Sequence, residues 1–368
     1  MIPYFIAFFT SILFCWLGER SSYKFAFISK IFYLLSVLII SIFTALRDLN
    51  IGTDIQTYAI WEFNDAIASN DLADFVINRL GIMEPFYSVL NYIVSCFTNN
   101  IHWLLFIIAI LIYGFTLAGL YKYNSKIAVW MGWACFLFIF YGDTLNMLRQ
   151  SIAISICFWG FHYVLDLKDK RFWVTLFIAF LFHNSAIIFI PIYFLYKVLI
   201  RRNTFFFDVS IILCFIFAIC YYQLFLELFM NIGLLPEKFI RYISYGFNLE
   251  VNPIILRLPF IVFALCFYKQ FVFKDSVYSK AESTLYILML IFDMISCQLR
   301  SILVPLYRIS LYFGIYKLIV YSRIYFITKN KFFMGTMLLI FLIALWIYQN
   351  VVQGNNEIYP YTSNTLGI

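Results

Sequence analysis

The chain has 368 residues, of which 64% are hydrophobic, 22% aromatic and only 12% charged, against about 25% charged in a soluble domain. That composition excludes a water-soluble protein, and apolar stretches recurring from Ile2 to Asn350 leave no length for a separate extramembrane domain of about 100 residues. The formal charge of +7 lies in short clusters between apolar runs, not on one stripe, so it reads as topology signal and not as a nucleic-acid surface.

A membrane-crossing helix needs about 20 apolar residues. On that criterion candidate spans fall at 2 to 18, 26 to 46, 101 to 121, 127 to 142, 146 to 166, 172 to 183, 185 to 200, 204 to 229, 254 to 273, 283 to 300, 303 to 322 and 332 to 349. The expected fold is therefore all-α, a polytopic integral membrane protein of about twelve transmembrane helices in a single domain over 1 to 368. Met1 to Trp16 has no basic start and no small-residue cleavage site, and is expected to be a retained first span.

Basic loops mark the cytoplasmic side. They contain Arg20 and Lys24; Lys122 and Lys126; Lys168, Lys170 and Arg171; Lys197, Arg201 and Arg202; Lys269, Lys274 and Lys280; and Arg323, Lys329 and Lys331. Both termini then lie outside, as does the stretch 47 to 84, where Asp48, Asp54, Glu62, Asp65, Asp71, Asp74 and Glu84 face only Arg47 and Arg79. Segment 84 to 98 is short and polar for a span and is expected to be re-entrant. The runs 172 to 183 and 185 to 200 have basic outer ends, so the chain must turn back at His183-Asn184. A second outer loop is expected at 230 to 253. The eight cysteines sit in or beside apolar segments with no metal-ligand spacing, so no zinc site or disulfide framework is expected.

Candidate site residues follow the same order. Arg47, Gly52, Thr53, Asp54 and Tyr58 form a cluster after the second span, where Gly52 permits a tight turn or close backbone approach; the same pattern also suits plain loop punctuation. Glu84 precedes Pro85 and starts the re-entrant segment, where an acid also complements a helix dipole. Arg149 and Gln150 open an otherwise apolar run, and an arginine in a membrane helix is costly unless it has work to do. His183 is an intramembrane histidine of the kind that serves as a general base near neutral pH, or that closes a hairpin by a hydrogen bond. His102 and His162 lie beside aromatics near interfaces and are read as structural. Asp293 sits in an apolar run with Arg300 on roughly the same helical face, which suggests a buried ion pair. Arg308 and Tyr312 are one helical turn apart. Arg47, Arg149, Arg300 and Arg308 all fall near the outer leaflet, where guanidinium groups bind phosphates bidentately. With phosphate binding supplied by arginines, neither a metal nor another cofactor is expected.

These residues carry a resemblance. Arg47 with Gly52-Thr53-Asp54 and Tyr58, Glu84-Pro85-Phe86-Tyr87, Arg149-Gln150, His183-Asn184-Ser185, Arg308 with Tyr312, and Tyr359-Pro360-Tyr361 make the chain similar over nearly its whole length to the EpsG group of Wzy-type polysaccharide polymerases, which includes O-antigen polymerases. The resemblance implies a GT-C-like, metal-independent membrane glycosyltransferase of the bacterial inner (cytoplasmic) membrane, with its site facing the periplasm. Its substrates would be undecaprenyl-pyrophosphate-linked oligosaccharides, its surroundings membrane lipid, and its protein partner a chain-length regulator. It implies pyrophosphate or glycan binding by Arg47, Arg149, Gln150, Arg300, Arg308, Tyr58 and Tyr312, and acceptor activation by His183 first, with Asp54 and Glu84 as alternatives. An O-antigen ligase uses the same donor. A lipid-linked glycan flippase would place charges along a path through the membrane, a pattern that only Asp293 suggests, and an acyltransferase would need a His/Arg cluster on the cytoplasmic side.

Overall fold

The computed structural model describes residues 1–22, 25–202, 204–231, 248–268, 278–302 and 304–368. Among these the structure is helical, apart from an isolated bridge between Leu80 and Met83. Six helical stretches are long and apolar enough to cross a membrane: Ile2–Ser21, Ala26–Ala45, Ile101–Tyr121, Asn184–Arg201, Ser279–Ser301 and Lys331–Val352. Shorter apolar helices cover Val129–Ile139, Phe205–Cys220 and Val251–Cys266. This is the pattern of a multi-pass membrane protein. Among the described residues, several of the twelve candidate apolar runs are broken. The run 204 to 229 divides at Tyr221, and 303 to 322 becomes a 3₁₀ segment Val304–Ile309 followed by two short helices. The expected second outer loop lies largely outside the described residues.

The chain forms two compact units, residues 1–187 with 321–368 and residues 188–320. In the first unit α1 (Ile2–Ser21) packs on α2 (Ala26–Ala45), α2 on α6 (Ile101–Tyr121), α6 on α9 (Leu148–Leu165) and α9 on α10 (Asp169–Phe182). Lipid gives two helices no hydrophobic reason to associate, so small and hydroxylated residues hold them. Ser11 Oγ donates to Ser36 O and Ser36 Oγ to Ser11 O, each at 2.8 Å. At the α9–α10 contact, a Cβ on Gly160 would stand 2.3 Å from Thr175 Cγ2, so only glycine admits that approach.

Between α2 and α6 the acidic stretch folds into α3 (Ile60–Ala68), preceded by a π-turn over Ile55–Ala59, then α4 (Leu72–Arg79) and α5 (Pro85–Ser95). Arg79 pairs with Asp65 and lies 3.5 Å from Glu62, whose other oxygen accepts from Ser88 at 2.8 Å. The expected re-entrant segment is thus an 11-residue helix, about 16 Å long and too short to cross. Between α6 and α9 the chain breaks twice, giving α7 (Val129–Ile139) and α8 (Tyr141–Asn146) before α9. The second break, at Met147, exposes the first N–H groups of α9.

The second unit contains α11 (Phe189–Arg201), α12 (Phe205–Cys220), α13 (Tyr222–Asn231), α14 (Val251–Cys266), α15 (Ser279–Ser296) and α16 (Ser310–Gly314). Helix α15 lies at its centre, touching α11, α12, α14 and α16, with Ile219, Tyr222, Leu299 and Ile302 forming a buried cluster nearby. After Gly314 the chain resumes as α17 (Lys317–Ile327), and α18 (Lys331–Ile347) returns to the first unit.

Candidate functional site

The site is built where three breaks in helical structure meet within the first unit. The first is the turn after α2. Arg47 Nε donates to Ile51 O at 2.9 Å and its Nη1 to Thr44 O, which folds the chain back on itself. Gly52 then adopts φ +105°, and a Cβ there would lie 2.4 Å from Leu145 O, so both a left-handed conformation and close packing against α8 demand glycine. Thr53 N–H donates to Asn146 Oδ1 at 2.8 Å, fixing the turn to the end of α8. The final residues brace it from outside: Thr362 O accepts from Asp48 N–H at 3.0 Å, and Tyr361 donates to Phe43 O at 2.9 Å.

This turn delivers Asp54. Its Oδ2 accepts the Leu148 N–H at 2.9 Å and the Tyr58 hydroxyl proton. A carboxylate on the first N–H of a helix satisfies an orphan donor and complements the dipole, so Asp54 fixes the start of α9 one residue before Arg149. Asp54→Asn should lower thermal stability by about 1 kcal/mol, in line with a lost helix cap. Polymer yield should fall only in part, and thermal melting of the purified protein beside its glycan yield checks both.

Glu84 is the N-cap of α5, with Pro85 at the first helical position. Its side chain does not cap its own helix. Oε2 accepts from Arg149 Nη1 at 2.5 Å, and Oε1 lies 2.7 Å from His183 Nδ1. His183 terminates α10 in extended backbone, φ −161° and ψ 128°, at the break expected from sequence. The three groups are 7% (Glu84), 20% (Arg149) and 24% (His183) exposed, so the carboxylate is buried beneath two partly accessible nitrogen groups. Burial alone would push the Glu84 carboxyl up, but the His183 hydrogen bond and the Arg149 charge outweigh it and bring it down to about 2. A depressed carboxyl contributes stability above its ordinary value of 4.5 and loses it only as pH falls toward 2, so the bridge persists throughout the neutral range. The Arg149 guanidinium lies over the Tyr58 ring at 4.2 Å and 5.8 Å from that of Tyr87. Met83 Sδ accepts from the same Nη1 at 3.2 Å.

The structure therefore brings Asp54, Tyr58, Glu84, Arg149 and His183 into one connected set. Gln150 is buried in α9 beside it. Arg47 is 0% exposed, and so holds the turn and reaches no surface at which a pyrophosphate would meet it. Arg300, Arg308 and Tyr312 belong to the second unit, where Arg300 is exposed, Arg308 half-buried and Tyr312 buried.

The expected Asp293–Arg300 pair does not form. Helix α15 ends at Ser296 and the 3₁₀ turn Cys297–Ser301 carries Arg300 off its face. Asp293 instead meets Arg257 and Lys317. Each of these is a lone charge inside an apolar run, the same signal that marks Arg149. Tyr87 also belongs among the site residues; sequence places it in a motif with Glu84 but gives it no role.

The EpsG family model matches residues 30–363, and the chain belongs to that family. No curated protein and no solved structure matches it. Family membership goes with a polysaccharide-polymerase type of membrane protein.

Proposed function

We propose that this EpsG-family chain is a membrane glycosyltransferase that joins undecaprenyl-pyrophosphate-linked oligosaccharide repeat units into O-antigen or exopolysaccharide. The observation that supports the reading best is the Glu84 carboxylate, held between His183 and Arg149. One carboxylate thus holds both an imidazole and a guanidinium, which in this reading serve as proton acceptor and phosphate-binding cation. The distribution of basic loops supports an outward orientation of this site at the bacterial cytoplasmic membrane.

The reaction needs a base on the acceptor hydroxyl and positive charge on the departing pyrophosphate. With Nδ1 turned to Glu84, the His183 imidazole presents Nε2 to substrate. Nε2 takes the proton as the acceptor oxygen of the new repeat unit bonds to the anomeric carbon of the nascent glycan. The bond from that carbon to the pyrophosphate oxygen breaks, its electron pair leaves on undecaprenyl pyrophosphate, and Arg149 stabilises the resulting charge. Glu84 remains ionised, keeps the ring in the productive tautomer and stabilises the imidazolium. Tyr58 and Tyr87 confine the guanidinium, and Asp54 positions it by fixing the start of α9. Arg308, Arg300 and Tyr312 are proposed to contact glycan or lipid from the second unit, and a chain-length regulator is the proposed protein partner.

Deletion of the gene in its own strain, with surface glycan resolved by size, tests this reading. The expected result is collapse of the ladder to a single repeat unit. An unchanged ladder contradicts polymerisation, and loss of every band, including the single repeat, indicates ligation or export instead.

A further inference from the structure

The second unit buries three charges that the catalytic reading leaves unused. Arg257 on α14 donates from Nε to Asp293 Oδ1 at 3.0 Å, and Lys317 Nζ lies 2.5 Å from Asp293 Oδ2. The side chains are 13% (Arg257), 1% (Asp293) and 6% (Lys317) exposed. The carboxylate is wedged in place, since a Cβ on Gly314 would stand 3.0 Å from its Oδ1. The Lys317 ammonium sits 4.7 Å from the Phe260 ring.

At their ordinary charges the three groups do not balance. Two cations face one carboxylate, and among the described residues Asp293 is the carboxylate that either of them is paired with. A balanced buried pair is explained by packing alone, whereas an uncompensated charge in an apolar interior is strongly unfavourable. Ionisable groups kept inside membrane domains mark ligand or ion paths. Arg257 is the most exposed member and lies in the second turn of α14 from Val251.

We propose that Arg257 and Lys317, held apart by Asp293, form an anion site that takes the phosphate of a lipid. The inference rests on the proposed function only for the identity of that lipid, because joining two lipid-linked glycans brings two pyrophosphates to one protein. The same phosphate chemistry is carried by the headgroup of an anionic phospholipid. Asp293 sets the spacing of the cations, and the bound phosphate supplies the missing negative charge.

The decisive comparison removes the excess cation. Lys317→Met leaves a neutral Arg257–Asp293 pair of similar bulk, which a merely structural cluster tolerates. The test uses the full-length purified protein and follows thermal unfolding with added inorganic pyrophosphate, in the Arg149→Ala background so that the first site does not respond. Pyrophosphate should raise the melting temperature of Arg149→Ala, fail to do so for Arg149→Ala/Lys317→Met, and do so again for Arg149→Ala/Lys317→Arg. Short-chain phosphatidylglycerol is tested in parallel. A Lys317-dependent shift with pyrophosphate supports the substrate lipid as ligand, and one with phosphatidylglycerol alone supports an ambient phospholipid. No shift with either, or the same shift in Lys317→Met, overturns the site. With Arg149 intact, Lys317→Met should remain folded and monodisperse yet lose roughly tenfold or more in polymer yield, the worth of a charge-assisted contact. If the wild type makes no polymer, the enzyme reading fails, and the melting shift still decides this site by itself.

Discussion

Arg149→Ala should abolish long-chain glycan while the protein stays in the membrane at its normal level. The guanidinium is the accessible cation of the first unit's site, held by the Glu84 carboxylate at 2.5 Å and confined over the Tyr58 ring. Removing one preorganised donor from developing negative charge lowers a rate by about 10²–10³. Arg149→Lys keeps the charge but loses the planar fork, so it should give an intermediate yield. It also serves as a control for folding, because an ammonium can still reach the buried Glu84 carboxylate. Gel analysis of glycan beside immunoblots of membrane protein reads both quantities. Full-length polymer from Arg149→Ala removes the residue from the site.

The second large effect concerns the proton. His183→Ala should lower the rate of polymer formation by about 10²–10⁴, the usual worth of a general base. Glu84→Gln leaves a carbonyl for Nδ1 but no charge to stabilise the imidazolium, so its loss should be smaller than that of Glu84→Ala. Glu84 touches both His183 and Arg149, so in a His183→Ala background Glu84→Gln should lose only the part that runs through Arg149. The double variant should therefore be slower than His183→Ala by a smaller factor than Glu84→Gln costs the wild type. Fully multiplicative losses would show that Glu84 does not act through His183.

Much of this arrangement is legible in the sequence as parts and little of it as a whole. The spans at 2 to 18, 26 to 46, 101 to 121 and 332 to 349 correspond to helices because each is an unbroken apolar run. Breaks at Met147, Tyr221 and Ile315-Tyr316 escape a hydropathy reading because the residues that carry them are as apolar or aromatic as their neighbours. The break at His183 is legible, because two short apolar runs with basic outer ends meet there. Glu84, Arg149 and His183 each stand out as polar groups in apolar surroundings, but Glu84 and His183 are 99 residues apart, and no spacing within one helix brings them together. Arg47 shows the converse. Sequence places it at a membrane boundary where phosphate would be met, yet its surroundings include Tyr4, Tyr113, Tyr141 and Tyr361 from four distant segments. Only the tertiary fold encloses it and turns a candidate ligand into the brace of a turn. Asp293 reads from sequence as a buried charge, but pairing it with Arg300 extends helical periodicity past the end of the helix at Ser296.

The most direct measurement is polymer formation by the purified protein in lipid nanodiscs, supplied only with a lipid-pyrophosphate-linked repeat unit and analysed by product size. Wild-type protein should yield a ladder of multiples of the repeat with release of the lipid pyrophosphate, and His183→Ala should yield neither. No ladder from folded wild-type protein, or an undiminished one from His183→Ala, would contradict the assignment of this site to glycan polymerisation.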